Sequence, residues 1–290
     1  VIGCGLFGII QLGFIPIVAL LQGSYNYKNI LYSDASLFRT IGIVGSVFGC
    51  GYQFSRLQFT RSYSDIVKLF SFLAILILLS SRGPILIAGL TCFILFIAQT
   101  RHKLTIWKII VASVFVLLVI WAFGILGNIR QGFTWDDSSY IYSLGKFDGY
   151  WPDWIPKEFC WAYSYLTSPL ANFNYSIQFS VTISPINFIY DFLPLFISKR
   201  LPFYTTPHAI LQVSYFTVSS VWSNYYMHMG LFGIFLGYAL QVLLLWFWWF
   251  LSRKTKNTNL MLAYCSECIV FSFFVNSFTY PTMAYPALLL

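Results

Sequence analysis

A polar break inside a very apolar stretch places the strongest constraint on this chain. Ser80-Ser81-Arg82-Gly83-Pro84 separates the apolar runs 69–79 and 85–98. A single helix over 67–98 would be about 48 Å long at 1.5 Å per residue, whereas the hydrocarbon core of a bilayer is about 30 Å thick. The sequence therefore predicts two short membrane spans joined by a tight turn at Gly83-Pro84, because these residues do not easily continue a helix. Arg82 is expected at a membrane surface, since an arginine at the centre of a span costs about 2.5–3.5 kcal/mol.

Composition indicates a polytopic membrane protein. Of 290 residues, 58% are hydrophobic and 9% are charged, and the mean hydropathy is +0.73. Soluble domains carry about 25% charged residues, which a water-facing surface requires. We therefore expect an all-α, polytopic helix bundle that forms one membrane domain over 1–290. The predicted spans are 1–21, 37–54, 66–81, 84–99, 106–126, 226–251 and 260–278. Because the chain begins at Val1 and ends in the apolar run 286–290, we expect a fragment of a longer protein.

The net charge of +8 follows the predicted topology rather than a nucleic-acid surface. Nine of the 17 Lys and Arg residues fall in alternate connections between spans, namely Arg56, Arg61, Lys68, Arg101, Lys103, Lys108, Arg253, Lys254 and Lys256. By the positive-inside rule this side is cytoplasmic. The opposite side then faces outward and contains Arg82 and the residues 127–225, called here the outer segment.

The outer segment is expected to contain the chemistry. It is rich in Trp and Tyr and carries charges of both signs, which is too aromatic a composition for a disordered connection. Within it, 181–198 is apolar but interrupted by Pro185, Asp191 and Pro194, which predicts an interfacial or re-entrant helix. Aromatic rings suit the C–H faces of sugars, and arginines suit phosphate oxygens. An aromatic belt resting on lipid headgroups is the structural alternative.

Small-residue patterns predict close helix packing in two places. Gly45 and Gly49 are four residues apart, as are Gly233 and Gly237. Such spacing lets helix backbones approach one another in a membrane, and it carries no chemistry of its own.

Four motifs follow one another along the chain. They are Ser80-Ser81-Arg82-Gly83, Gly127-Asn128-Ile129-Arg130-Gln131-Gly132, the aromatic run 163–175 containing Ser168-Pro169-Leu170-Ala171-Asn172, and Gly230-Leu231-Phe232-Gly233. This ordered set, over about residues 35–280, resembles the bacterial oligosaccharide repeat unit polymerases, the Wzy-type O-antigen or capsule polymerases. The resemblance implies a glycosyltransferase, independent of metals and cofactors, at the outer face of the inner membrane.

The resemblance also implies the substrates. A growing glycan would move from one undecaprenyl diphosphate carrier to the nonreducing end of a carrier-linked repeat unit. Undecaprenyl-diphosphate-linked glycan is then both donor and acceptor, the bilayer is the surrounding medium, and a flippase and a chain-length regulator are candidate partners.

The candidate catalytic residues follow from the leaving group and the acceptor. A lipid diphosphate requires fixed positive charge near the bilayer surface, for which Arg82 is the first candidate and Arg130 the second. The acceptor hydroxyl requires a general base. His208 is one candidate, because histidine titrates near neutral pH, and the adjacent carboxylates Asp136 and Asp137 are another, because neighbouring negative charges hinder each other's ionisation. The predicted substrate-binding residues are Arg200, Tyr163, Tyr165, Asn172, Asn174 and His228.

Two other functions fit part of the sequence. An O-antigen ligase has a similar topology and leaving group but transfers the glycan to lipid A-core. A polysaccharide transporter or flippase would show paired half-repeats and polar residues along several spans. Here the polar residues concentrate in the outer segment, which disfavours transport.

Overall fold

The computed structural model describes residues 1–22, 37–79, 82–100, 105–179, 181, 183–193, 195–198, 200–203, 211, 219–253 and 258–274. Every regular element in these residues is an α-helix, which confirms the all-α prediction. The helices, in chain order, are α1 Ile2–Leu12, α2 Pro16–Leu21, α3 Leu37–Thr60, α4 Tyr63–Leu78, α5 Arg82–Thr100, α6 Ile106–Gln131, α7 Ser139–Leu144, α8 Phe159–Ser176, α9 Pro185–Tyr190, α10 Leu195–Ser198, α11 Val221–Ser252 and α12 Thr258–Phe271.

The polar break divides the apolar stretch into two helices, as predicted. Helix α4 ends at Leu78, and α5 begins at Arg82. The interruption lies a few residues earlier than the predicted turn, because Gly83 and Pro84 belong to the first turn of α5. Proline is tolerated there, since the first turn of a helix has no intrahelical acceptor for its missing N–H.

The predicted span 1–21 is two helices rather than one. Helix α1 ends at Gly13, whose left-handed conformation (φ 72°) closes the helix and directs its N–H to the carbonyl of Ile10 at 3.0 Å. Helix α2 begins at Pro16. A glycine cap followed by a proline is a strong helix stop, and it limits α1 to 11 residues.

Helix α3 is at the centre of the first group of helices. It packs against α1, α4, α5 and α12. Its glycines allow this, because a Cβ at Gly42 would lie 2.6 Å from the backbone of Gly5 in α1. The predicted Gly45 and Gly49 pair has a different use. A Cβ at Gly49 would lie 2.6 Å from the ring of Phe72, so this glycine admits an aromatic side chain rather than a second backbone.

The second group begins with α6, which packs against α2, α7 and α8. The helix continues past the predicted end at 126 to Gln131 and closes on Gly132, whose φ of 92° is left-handed. Asn128 and Arg130 therefore belong to its last turn. Helix α8 packs against α7 and α11, and α11 contacts α9 and α12, so α11 joins the two groups.

Helix α11 is broken at Gly230, where φ is 64° and ψ is −151°. A Cβ placed on Gly237 would lie 2.3 Å from the ring of Tyr225. In one straight helix these residues would be about 18 Å apart along the axis, so the segment before Gly230 folds back along the segment after it. The predicted span over 226–251 therefore contains a break at Gly230, and the helical part after the break runs from 231 to 252. That part is about 33 Å long at 1.5 Å per residue.

Among the described residues, α11 is the one helix whose length and apolar composition suffice to cross a membrane. Shorter apolar helical stretches, of 10–17 residues, occur at Ile2–Leu12, Gly83–Ala98, Val116–Gln131 and Thr258–Phe271. Helix α12 returns alongside α11, since the backbone N–H of Val221 donates to the carbonyl of Ser272 at 3.1 Å.

Candidate functional site

Several polar residues of the outer segment, together with His228, lie where the first part of α11 packs against α8 and α9. This place, called here the helix junction, is defined by Asn172, Ser176, Asp191, Ser223 and His228. It joins two residues predicted to bind substrate, Asn172 and His228, with three that the sequence did not single out.

Buried hydroxyls connect α8 to α11 at the junction. Ser176 Oγ donates to the carbonyl of Asn172 at 2.8 Å and lies 2.9 Å from Ser223 Oγ. A hydroxyl has a single proton to donate, so Ser223 donates in the second contact. Ser220 caps the start of α11, because its Oγ accepts from the backbone N–H of Ser223 at 3.4 Å. Each of these polar groups is satisfied inside the protein, which fixes the first segment of α11 against α8.

The junction also contains a buried carboxylate beside an imidazole. Asp191 follows the end of α9, and its Oδ2 lies 3.5 Å from Nε2 of His228. The side chains are 9% and 11% exposed, respectively. Burial raises the pKa of Asp191 to about 7, because removal from water disfavours the charged form of a carboxyl group.

The break at Gly230 sets the position of His228. It interrupts the hydrogen-bond series of the helix two residues beyond this histidine. The carbonyl of His228 accepts instead from the backbone N–H of Ser184, at 2.9 Å, directly before α9. The histidine is therefore held to the element that also places Asp191.

Aromatic rings surround the Asp191–His228 pair on one side. The ring of Phe192 stacks on that of Tyr225, with centroids 5.3 Å apart and planes at 10°. Phe188 contacts both rings edge-on, with each centroid distance 5.4 Å. Burial of the carboxylate is the physical cause of its raised pKa.

A second cluster lies at the end of α6. Asn128 is buried there, and its Oδ1 accepts from Trp161 Nε1 at 2.7 Å. Its Nδ2 donates to Ser138 Oγ at 2.9 Å and to the carbonyl of Trp135 at 3.2 Å. A Cβ at Gly127 would lie 2.6 Å from the indole of Trp161, so the glycine lets this ring lie flat against α6. In the motif over 127–132, Gly127 and Asn128 therefore have a structural use.

Asp136 and Asp137 line an open cleft of about 430 Å³ beside this cluster. The rest of its wall consists of Ser138, Ser139, Tyr142, Ser143, Asp148 and Lys157. Lys157 Nζ lies 4.6 Å from the centroid of the Tyr142 ring. Asp137 Oδ1 accepts from the backbone N–H of Ser139 at 2.9 Å, and hydrogen bonding to Ser139 lowers the pKa of Asp137. This direction is opposite to that expected for a carboxylate poised as a base, because the hydrogen bond favours the ionised form.

The predicted tyrosines belong to the second cluster rather than to the junction. Tyr163 packs edge-on against Phe147 and Trp151, with centroid distances of 5.6 and 5.8 Å. Tyr165 packs in the same way against Phe123 at 5.4 Å. The structure thus divides four of the six predicted substrate-binding residues between two places, with Tyr163 and Tyr165 in the second cluster and Asn172 and His228 at the junction.

The predicted cations and the remaining base candidate are dispersed. Arg82 is the first residue of α5, and its side chain lies outside the described residues. Arg130 is partly buried in the last turn of α6, whereas Arg200 is exposed after α10. His208 lies outside the described residues, as do Ser80 and Ser81. Asn174 is exposed on α8.

Asp191 is the functional candidate that sequence reasoning missed. Its signal was present, since a lone carboxylate in an otherwise apolar run is a default functional candidate near a membrane. What the sequence did not reveal is its partner, because His228 belongs to another helix.

No protein-family model, curated protein or solved structure matches this chain. The junction thus stands on its own geometry. It offers a buried acid–base pair, neighbouring hydroxyl and amide groups, and an aromatic wall, which together suit proton transfer to or from a bound hydroxyl.

Proposed function

We propose that this chain is a polytopic membrane glycosyltransferase that polymerises oligosaccharide repeat units carried on undecaprenyl diphosphate. Its reaction would take place at the outer face of a bacterial inner membrane, and its product would be a surface polysaccharide such as O-antigen or capsule. The donor and the acceptor would both be carrier-linked glycans.

The exposed helix faces support a membrane location. The outward side chains of α11 beyond its break are large and apolar, namely Leu231, Phe232, Phe235, Leu243, Trp246 and Phe247. The outward face of α6 has the same character, with Ile106, Trp107, Ile109, Val114, Leu117 and Leu118. Contiguous apolar surface of this extent is typical of contact with lipid or a partner rather than water.

One observation carries the proposal: two of the four motif segments, far apart in the sequence, meet at the helix junction. Ser176 directly follows the aromatic run that contains Ser168-Pro169-Leu170-Ala171-Asn172, and its Oγ lies 2.9 Å from that of Ser223. His228 is two residues before Gly230-Leu231-Phe232-Gly233. Motif segments that converge on a buried acid–base pair favour a shared chemical role over independent packing roles.

The leaving group accounts for the cations near the outer face. Departure of a lipid diphosphate places negative charge on phosphate oxygens, which arginine guanidinium groups bind in a bidentate manner. Two opposite unit charges about 4 Å apart interact by about 4 kcal/mol at an effective dielectric of 20. We assign this role to Arg82 and Arg130. The sugar-binding surface would be the part of the second cluster around Tyr163.

The test is complementation of a strain that lacks this gene, with surface glycan separated by size. Wild type is expected to restore a ladder of long chains, and Arg82→Ala is expected to leave single repeats although the protein is still inserted in the membrane. Lys68→Ala is the matched control, because Lys68 is an exposed cation on the predicted cytoplasmic side, and it should restore the full ladder.

Two results would overturn the proposal. A full ladder from Arg82→Ala would remove the assigned leaving-group role. Polymer that accumulates on the undecaprenyl carrier in the deletion strain would identify the chain as a ligase, because a ligase acts after polymerisation.

A further inference from the structure

The Asp191–His228 pair is a buried carboxyl group beside an imidazole. Nε2 of the imidazole faces Oδ2 of the carboxylate at 3.5 Å, and both side chains are almost completely buried. A fully charged pair in such surroundings loses more in hydration than a single contact returns.

Three elements contribute the groups that face the pair. Helix α9 supplies Asp191, and the first segment of α11 supplies His228 and Tyr225. The segment after the break supplies Gln241, whose Nε2 donates to the phenol oxygen of Tyr225 at 3.0 Å. Tyr225 acts electrostatically on the same carboxylate.

The orientation of the imidazole assigns its two nitrogens. Nε2 is the ring nitrogen nearest the carboxyl group, at 3.5 Å from Oδ2, so in the tautomer that carries its proton on Nε2 the other nitrogen, Nδ1, is available to accept a proton. A carboxylate behind a histidine fixes the tautomer and stabilises the imidazolium that forms when the ring accepts a proton.

We propose that His228 is the general base that accepts the proton of the attacking sugar hydroxyl, and that Asp191 is the residue that positions its ring. This inference rests on the proposed glycosyl transfer and identifies the base of that reaction. Neither Asp136–Asp137 nor His208 is then required for this step.

Glycosyl transfer at this site forms one bond, breaks one bond and moves one proton. The acceptor oxygen forms a bond to the anomeric carbon of the donor sugar, and the bond from that carbon to the diphosphate oxygen breaks. The electron pair of the broken bond leaves with the undecaprenyl diphosphate. The proton of the acceptor hydroxyl passes to Nδ1 of His228, and the imidazolium is held beside Asp191 until the proton returns to solvent.

The raised pKa of Asp191, about 7, agrees with this arrangement. A carboxyl group that ionises only near neutral pH can share one proton with the imidazole, and this sharing keeps the pair close to its working state.

The experiment uses the purified full chain in lipid vesicles, with a synthetic undecaprenyl-diphosphate-linked repeat unit as donor and acceptor. Initial rates are measured between pH 5 and 9 for wild type, His228→Gln, His228→Asn, Asp191→Asn and Asp191→Glu. Each rate is divided by the amount of folded protein in the size-exclusion peak. Asp153→Asn is the matched control, because Asp153 is an exposed carboxylate outside the junction.

The expected results separate a base from a packing residue. Wild-type activity should rise with pH as the pair loses its proton, and both His228 variants should lose about 10²–10⁴-fold, the usual contribution of a general base. In Asp191→Asn the rate should fall by about tenfold or more, and the rising limb should move to lower pH, because the carboxylate no longer stabilises the imidazolium. Asp191→Glu should recover part of the wild-type rate and part of the wild-type pH profile. Asp153→Asn should behave as wild type.

The outcomes that would overturn the inference differ from those that would overturn the proposed function. Absence of polymer from wild type counts against glycan polymerisation itself. An active wild type, together with folded His228 and Asp191 variants that keep its rate and its pH profile, counts against the pair alone. Loss of activity in His208→Gln, with His228→Gln still active, would assign the base to His208.

Discussion

The phenol oxygen of Tyr225 lies 3.0 Å from Nε2 of Gln241, although the two residues are 16 positions apart within α11. In a straight helix that separation is about 24 Å along the axis. The hydrogen bond therefore holds a short helical segment folded back on the longer segment that follows. This hairpin places His228 beside Asp191, which belongs to the outer segment.

We expect Gly230→Ala to destabilise the hairpin. The φ of 64° and ψ of −151° at Gly230 lie in a region that is almost exclusive to glycine, and a residue forced into it costs about 1–3 kcal/mol. Thermal unfolding in detergent should show a lower midpoint. Gly89→Ala is the control, because Gly89 lies inside α5 with open space around its Cβ position. That change should be neutral or stabilising by up to about 1 kcal/mol. Equal midpoints for the two variants would contradict the assigned strain.

We expect Trp161→Phe to weaken the attachment of α8 to α6. The substitution removes the N–H that donates to Asn128 Oδ1 at 2.7 Å, and a buried acceptor left without its donor costs about 1–3 kcal/mol. The free energy of unfolding is the measurement, and Trp154→Phe is the control, because Trp154 is 83% exposed. Equal free energies of unfolding for the two variants would mean that the hydrogen bond makes no net contribution to stability.

We expect the stability contributed by Asp191 to decline as the pH rises. Its folded pKa of about 7 lies above the ordinary value of 3.8. The protonated form is therefore favoured by folding, so the contribution is complete below pH 3.8 and is lost as the pH rises through about 7. The melting temperature of wild type should fall across this window more than that of Asp191→Asn.

The neighbours of Asp191 require a second comparison. His228 and Tyr225 face the carboxylate, and the imidazole of His228 is itself a titratable group. The pH dependence should therefore be measured again in a His228→Gln background. In that background, the prediction would be contradicted if the melting temperature changed equally with pH whether residue 191 is Asp or Asn.

We expect Glu267→Gln to preserve the fold and Glu267→Ala to weaken it. Glu267 of α12 is fully buried and forms a hydrogen bond with Thr91 of α5, while Thr91 Oγ1 also donates to the carbonyl of Ile87 at 3.0 Å. Thr91 has a single hydroxyl proton, which it donates to Ile87. The contact between Thr91 and residue 267 is then a hydrogen bond only if residue 267 is the donor. A glutamine amide can do so, whereas alanine leaves a cavity and removes the link between α5 and α12. Similar unfolding midpoints for the two variants would contradict this account.

The sequence predicted the helices better than it predicted their ends. The all-α architecture follows from long apolar runs, and the separation of α4 from α5 follows from Ser80-Ser81-Arg82-Gly83. The break at Gly230 gave no comparable signal. Its neighbours, Met229 and Leu231, continue the apolar run, and a lone glycine in such a run is tolerated inside a helix.

The site was predicted only in part, because its pairing is tertiary. Asn172 and His228 were named as substrate-binding residues, and both lie at the junction. Asp191 was visible only as an interruption of an apolar segment. Its contact with His228 depends on the fold-back of α11, which no local spacing encodes. Asp136 and Asp137 were chosen for their adjacency, but Ser139 supplies a hydrogen bond that reverses the expected effect at Asp137.

The fold-back also changes what the glycine stripe on α11 is able to contact. Atoms of Tyr225 lie 2.3 Å from the Cβ positions of both Gly233 and Gly237. In a membrane, such a stripe ordinarily provides the surface on which a second helix docks. Here the chain's own tyrosine occupies it, so another copy of this protein cannot use the stripe while the hairpin is closed. Any self-association must then rely on a different face, and opening of the hairpin would expose a dimerisation surface and separate His228 from Asp191 at the same time.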